Sequence, residues 1–315
     1  MNKVVLALVV IGVLVAPVEI GSTPASAAGA DSDHIVVTLL GTGTPALSAT
    51  RFGPSTLVQA GGLNLVFDAG RGASIRMAQT GFSPGQIDAL FITHLHSDHV
   101  NGFADLWMAG YRPHPQARTG ALRVFGPLGA KRLGDNVMLA FQADSDLRGR
   151  GGRIPANAEK IETSEIVNDG VVFDEAGVRV TAFRVSHVET SFGYRVDYNG
   201  RSVLLSGDTS FDRNLIAHGQ GVDLLIHEVR MRRPGAANGI HTSPEETGTV
   251  LSETGAKMGV YSHIMLGPGR RSDEEKIREL EARTRENYDG SVIVGKDLLR
   301  FVVADQVSVD ESLLE

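Results

Sequence analysis

The chain has 315 residues, 42% of them apolar, and a formal charge of −7. That is ample material for a substantial core, and the acidic balance argues against a broad electrostatic grip on nucleic acid. Cysteine is absent, which excludes disulfides, thiolate ligands, a cysteine nucleophile and a lipid-accepting cysteine, so any metal must be held by nitrogen and oxygen.

Lys3 precedes an apolar run over residues 4–16, and the small residues Ala25, Ser26, Ala27 and Ala28 follow. This is the pattern of a secretory signal peptide over residues 1–28, cleaved near Ala27 or Ala28, and it predicts a periplasmic or secreted protein. The run is too short for the roughly twenty residues of a membrane span, so no stable insertion is expected after cleavage. Lys3 and Glu19 leave together, and the mature chain keeps the same formal charge.

Residues 34–40 form an apolar, β-branched run stopped by GTGTP at 41–45, and residues 55–68 hold two more such runs around Gly61 and Gly62, which predicts a hairpin. A helical period covers residues 72–80. Ser83, Pro84 and Gln86 then supply a cap, a first-turn proline and a reciprocal capping partner. The apolar run 89–93 predicts a buried strand. It leads into THLHSDH at 93–99, where His94, His96, Asp98 and His99 place four candidate metal ligands within six positions. Two imidazoles two apart at a strand end point to one side, and a following turn swings Asp98 and His99 toward a second point, which is the geometry of a two-metal site.

Further on, a helix is expected over 100–111, a strand over 122–125 and a helical stretch over 128–146. Residues 147–177, opening on RGRGGR at 148–153, carry many turn formers and charges and read as an irregular insertion near the site entrance. Strands are expected over 178–185, 192–198, 202–206 and 223–227. Ser243, Pro244 and Glu246 spell one capped helix start, and Ser272 and Glu275 spell another, before a charged helix reaching about Arg285. A final strand is expected over 291–303. Strand groups interleaved with helices, twice over, predict two β-sheets packed face to face with helices outside.

Three isolated residues follow or end predicted strands: His187 after RVS, Asp208 in LLSGDT and His263 in YSHI. With HxHxDH before them, the series resembles the metallo-β-lactamase superfamily over nearly the whole mature chain, which makes 29–315 one hydrolase domain. The resemblance implies an α/β four-layer αβ/βα sandwich. It also implies that His94, His96 and His187 hold one divalent ion and Asp98, His99 and His263 a second, with Asp208 bridging them. Zinc is the expected metal, with manganese or iron as alternatives. A hydroxide shared by the ions would form near neutral pH, and the net positive centre would suit an anionic ester.

Within the superfamily, GTGTP, SGDT, the pair His227-Glu228 and HTS at 241–243 resemble the ribonuclease Z branch and the arylsulfatases related to it. By this resemblance Asp98 and His241 are the catalytic residues, His241 protonating the departing oxygen with help from a carboxylate such as Glu228. The expected activity is hydrolysis of a small anionic ester, an aryl sulfate or a phosphodiester. Ribonuclease Z-like endonuclease or phosphodiesterase activity, a lactonase or β-lactamase, an iron-dependent sulfur dioxygenase and a non-catalytic metal-binding module are the alternatives. No clear version of the Gly- and Pro-rich tRNA-gripping arm occurs between 127 and 177, and export places tRNA low among substrates. Two basic clusters, Arg148, Arg150 and Arg153, and Arg230, Arg232 and Arg233, are candidates for contact with phosphate or sulfate, the second if its loop borders the site. His227 reads as a buried strand-end residue, and His34, His114 and His218 as surface or loop residues. A homodimer is possible by family analogy.

Overall fold

In a computed structural model, residues 33–233 and 239–314 are described, so the expected signal segment lies outside them. The apolar run after it becomes β1 (Ile35–Gly41), in which every residue is buried. β2 (Ser55–Ala60) and β3 (Leu63–Phe67) form the expected hairpin. Its turn puts Gly61 and Gly62 at φ 56° and 78°, a left-handed pair that glycine adopts without steric cost. α1 (Ala73–Gln79) follows. The Ser83 capping box then closes on only one 3₁₀ turn, Pro84–Gln86.

β4 (Ala89–Phe91) is short and fully buried; α2 (Ser97–Val100) takes in the end of the histidine cluster, and α3 (Phe103–Tyr111) follows. β5 (Leu122–Pro127) leads to α4 (Ala130–Ala140) and α5 (Gln142–Gly149), two helices where one stretch was expected, broken at Phe141. β6 (Ile161–Ile166), β7 (Gly170–Glu175), β8 (Val178–Arg184), β9 (Phe192–Tyr198) and β10 (Arg201–Leu205) carry the chain into the second half. α6 (Arg213–His218), β11 (Leu224–Arg230), α7 (Pro244–Thr254), β12 (Met258–Met265), α8 (Asp273–Thr284), β13 (Ser291–Val294), β14 (Arg300–Val303) and β15 (Val307–Asp310) complete it.

The strands form two sheets, β15-β14-β1-β2-β3-β4-β5-β6 and β13-β12-β11-β10-β9-β8-β7. In each, a parallel run (β3 to β6, and β10 to β13) adjoins an antiparallel one. Side chains of both sheets meet in one core that includes Val37, Leu65, Phe67, Phe91, Tyr194, Val203 and Ile226, and the Phe67 and Phe91 rings stack at 4.8 Å. Each aliphatic side chain so buried contributes about 1.5–3 kcal/mol relative to exposure. α1 and α3 cover the outer face of the first sheet through Met77, Leu106, Trp107 and Tyr111, and α6 and α7 cover that of the second through Leu215, Ile216, Val250 and Leu251. The expected four layers are thus present. Among the described residues no helix is long and apolar enough to cross a membrane.

Two expectations fail. Residues 147–177 are not irregular throughout: 150–160 hold neither helix nor strand, but β6 pairs with β5 and β7 with β8. Only two of six residues in β6 are buried, so an edge strand here lacks the apolar alternation that identifies strands. The segment's contacts run to α3, α4 and the Ala117–Arg118 loop, through Glu159 and Ala158 carbonyls and the Ile161 amide. Residues 291–303 are two strands in different sheets: β13 pairs with β12, and β14 with β1. The crossover between them is held by Asp297, whose carboxylate accepts from the Thr42 amide and hydroxyl and from the Phe52 amide.

Candidate metal centre

The predicted ligands converge at the ends of the central strands. The turn after β4 carries His94, His96, Asp98 and His99, the last two buried in the first turn of α2. From the second sheet come His187 beyond β8, Asp208 beyond β10 and His263 within β12. Donor atoms of His94, His96, His187 and Asp208 lie within 4.8 Å of one another, as do those of Asp98, His99 and His263.

Two local distortions aim the ligands of the second sheet. Gly207 has φ 59°, and a Cβ there would stand 2.8 Å from the Phe192 carbonyl oxygen and 3.1 Å from Thr93. Glycine is therefore needed for Asp208 to turn inward. His263 is the extra residue of a bulge: β11 and β12 pair Glu228 with Ser262 and then Val229 with Ile264. Its φ of 45° is a strained, left-handed value for a histidine, of the kind that bulges impose when they re-aim a side chain. The Thr42 carbonyl, in the GTGTP loop, accepts from Ile264 N immediately beside it.

Hydrogen bonds fix where the lone pairs point. His187 Nδ1 donates to the Ile240 carbonyl at 2.7 Å. Thr93 Oγ1 donates to Asp68 at 2.9 Å and sits 3.0 Å from His94 Nδ1. With these Nδ1 positions protonated, both Nε2 lone pairs face inward, 3.7–3.8 Å from Asp208 Oδ2, and each lies within 3.1 Å of His96 Nδ1. In the second cluster His99 Nδ1 donates to Asp68 Oδ2 at 2.7 Å, so its Nε2 is turned toward Asp208 Oδ1 at 3.4 Å and Asp98 Oδ2 at 3.7 Å. His263 lies 3.4 Å from Asp208 Oδ1 through Nδ1 and 3.1 Å from Asp98 Oδ2 through Nε2.

Asp208 thus directs one oxygen at each cluster. His99 Nε2, His263 Nδ1 and Asp208 Oδ1 are buried with no hydrogen-bond partner, a costly arrangement for polar atoms. Converging lone pairs and carboxylate oxygens, with protons directed outward, fit divalent cations and satisfy the orphaned atoms.

The charges follow the same geometry. Burial opposes ionisation of Asp208, but His263 and His99 outweigh it and hold its carboxyl well below the usual range. Burial also pushes the His94 imidazole down, further lowered by His99. Burial first and Asp208 second drive the Glu228 carboxyl well up. Burial likewise lowers His241. Glu228 Oε1 accepts from the Thr242 amide at 2.6 Å, while Oε2 stands 3.3 Å from His241 Nδ1. His241 also has a donor atom in the group formed by Asp208 and His263.

His227 is buried on β11, its Nδ1 donating to the Glu228 carbonyl, and burial lowers its pKa to about 4. The other histidines stay apart: His114 is exposed and His218 stacks on Phe183 at 4.7 Å. Arg148 pairs with Asp144 on α5, and Arg150 and Arg153 are exposed, so that cluster is a solvated surface. Sequence reasoning overlooked Asp68 and Thr93, the buried pair that orients His94 and His99. The available signal was position, because Asp68 follows β3 as the predicted ligands follow their strands.

The profile of the family described as Anti-Pycsar protein Apyc1 matches residues 35–280. A ribonuclease Z from Mycolicibacterium gilvum (strain PYR-GCK) is 34% identical over 286 residues, 85% of this chain and 96% of that protein. Among solved structures, the metallo-β-lactamase fold protein YhfI from Bacillus subtilis aligns with a TM-score of 0.67 at 18% identity, over 85% of this chain and 99% of that one. The human short-form tRNase Z aligns with a TM-score of 0.63 at 22% identity, over 84% and 98%.

Proposed function

Since the chain belongs to the family described as Anti-Pycsar protein Apyc1, on the ribonuclease Z branch of the metallo-β-lactamase superfamily, we propose that it is a metal-dependent hydrolase of phosphodiesters. The observation that carries this is Asp208, with one oxygen toward each of two ligand clusters and a buried, orphaned Oδ1. His94, His96 and His187 would hold one ion, Asp98, His99 and His263 the other, and Asp208 both. An all-nitrogen and oxygen set rich in imidazole favours zinc. When bound, two such ions supply Lewis acidity, lower the pKa of water to about 7 and offset the negative charge that grows on a phosphodiester in its transition state.

The chain's own residues do the remainder. Asp68 and Thr93 hold the imidazoles in one tautomer. Burial favours neutral His241 and protonated Glu228, so the pair, 3.3 Å apart, keeps a transferable proton beside the clusters for the departing oxygen. His241→Ala should lower kcat by about 10²- to 10⁴-fold while the metal content holds.

From sequence, aryl sulfate stands level with phosphodiester and a ribonuclease Z-like nuclease is the first alternative; the ribonuclease Z relatives support placing phosphodiesters ahead. Metal analysis should give two ions per chain. A panel of bis-aryl phosphate, cyclic mononucleotide, dinucleotide, precursor tRNA, aryl sulfate and lactone should show phosphodiesters ahead of aryl sulfate by about 100-fold or more. Aryl sulfate turnover equal to the best phosphodiester would sink the proposal, as would one iron and no second ion. Trailer release from precursor tRNA far above turnover of the small diesters would narrow the substrate to RNA. Export remains our proposal from the apolar run 4–16, tested by sequencing the N-terminus of protein recovered outside the cytoplasm.

A further inference from the structure

Beside the metal centre lies a groove of about 580 Å³, walled by Gly43 and Thr44 of the GTGTP loop, by Ile264 and Leu266, and by Arg51, Arg230 and Asp273. It begins one residue from His263. Two arginines border it, and they differ. Arg51 is committed to the fold, its Nη1 donating to Thr42 Oγ1 and to the Gly295 carbonyl at 2.7 Å each. Arg230 is exposed, and among the described residues its guanidinium makes no hydrogen bond or ion pair.

Strand geometry explains where Arg230 points. Successive side chains of a strand alternate between faces. Leu224 and Ile226 of β11 enter the core between the sheets, whereas Leu225 and Val229 pack outside. Glu228 and Arg230 continue the inner face past the end of that core, Glu228 beside His241 and Arg230 beyond it. Its backbone is tied to the loop that carries His241, the Arg230 amide donating to the Thr242 carbonyl at 2.9 Å. Neighbouring Arg232 is engaged instead with Glu246 at 2.8 Å, and it accepts from Arg283 through its carbonyl.

We propose that Arg230 is the substrate-anchoring residue of this site, gripping a non-bridging oxygen of the phosphodiester while the groove it walls takes one of the two ester substituents. The inference rests on the phosphodiester reading above and deepens it. A guanidinium suits this task because its planar fork meets two oxygens of a phosphate at once, whereas an ammonium meets them as a point charge. Ile264 and Leu266 offer the substituent an apolar wall. Asp273 also lines the groove, its carboxylate 3.6 Å from Lys276 Nζ.

The test is calorimetric binding of diphenylphosphinate, a non-hydrolysable monoanion with the shape of a diaryl phosphodiester, to the metal-loaded full chain. Diphenyl sulfone serves as its neutral counterpart. Arg230→Ala should weaken phosphinate binding by about tenfold or more and leave the sulfone unchanged; Arg230→Lys should restore part of the loss, and Arg148→Ala should have no effect. In turnover of a dinucleotide, Arg230→Ala should raise KM by a similar factor, with kcat changed less. Equal phosphinate affinity in wild type and Arg230→Ala, or no binding by wild type, overturns the proposal. Arg230-dependent binding in a protein that turns over no phosphodiester keeps this inference and removes the phosphodiesterase reading; turnover with Arg230-independent binding does the reverse.

Discussion

In the first sheet one turn after β4 delivers His94, His96, Asp98 and His99, whereas in the second His187, Asp208 and His263 arrive from β8, β10 and β12. The first set holds its relative geometry through a single short helix, α2, and two buried neighbours, Asp68 and Thr93. The second holds its geometry through strand register, a glycine turn, a bulge and the hydrogen bond from His187 to the Ile240 carbonyl. A ligand on the first sheet is thus exposed mainly to loss of its own side chain, and one on the second also to any backbone change that shifts its strand. Asp208 joins the two regimes, because one carboxylate faces both clusters.

The largest expected effect follows from that shared position. Asp208→Ala should lower activity by about 10³-fold or more and reduce bound metal to one ion or none, whereas His96→Ala should empty only the first cluster. Inductively coupled plasma analysis beside initial rates would separate them, and equal metal loss in both variants would erase the contrast. Gly207→Ala comes next: the forced left-handed alanine and its contact with Phe192 should cost about 1–3 kcal/mol of stability and roughly 10²-fold in kcat as Asp208 shifts. A denaturant titration that matched wild type would show that the turn is not under the strain described.

On the first sheet, Asp68→Asn should leave the fold intact and weaken metal affinity by about 10- to 100-fold, because His99 loses the carboxylate that orients it. Competition with a chromogenic chelator reads this directly. The smallest effect lies away from both clusters, where Arg283 of α8 grips Glu245 of α7. Burial raises the Glu245 pKa, but the Arg283 hydrogen bonds outweigh it and hold it below 4.5. Its contribution is therefore present above pH 4.5 and lost as pH falls through the lower folded value. Glu245→Gln should remove less than about 1 kcal/mol at pH 7 and nothing in strong acid, as measured by melting temperature across pH, since solvent screens the partly exposed pair.

Much of this was legible beforehand, and the reason is range. The Ser83, Ser243 and Ser272 capping boxes all form as their i to i+3 spacing predicts, because such hydrogen bonds need only a few consecutive residues. THLHSDH was legible for the same reason. The run 291–303 misled because its apolar pattern continues through the point where the chain changes sheets, a change determined by pairing with β12 on one side and β1 on the other. Asp68 was overlooked because its role depends on Thr93 and His99 arriving from the turn after β4 and from α2.

By itself, then, the sequence determined the candidate donor residues, the four-donor turn, the capped helices and the two-sheet architecture, all of which depend on short-range periodicity and chemistry. Tertiary structure alone decided that a bulge turns His263 inward and that, among the described residues, the guanidinium of Arg230 rather than that of Arg232 has no partner at the groove. Those outcomes depend on register between strands far apart in the chain, where a one-residue shift sends every side chain to the opposite face.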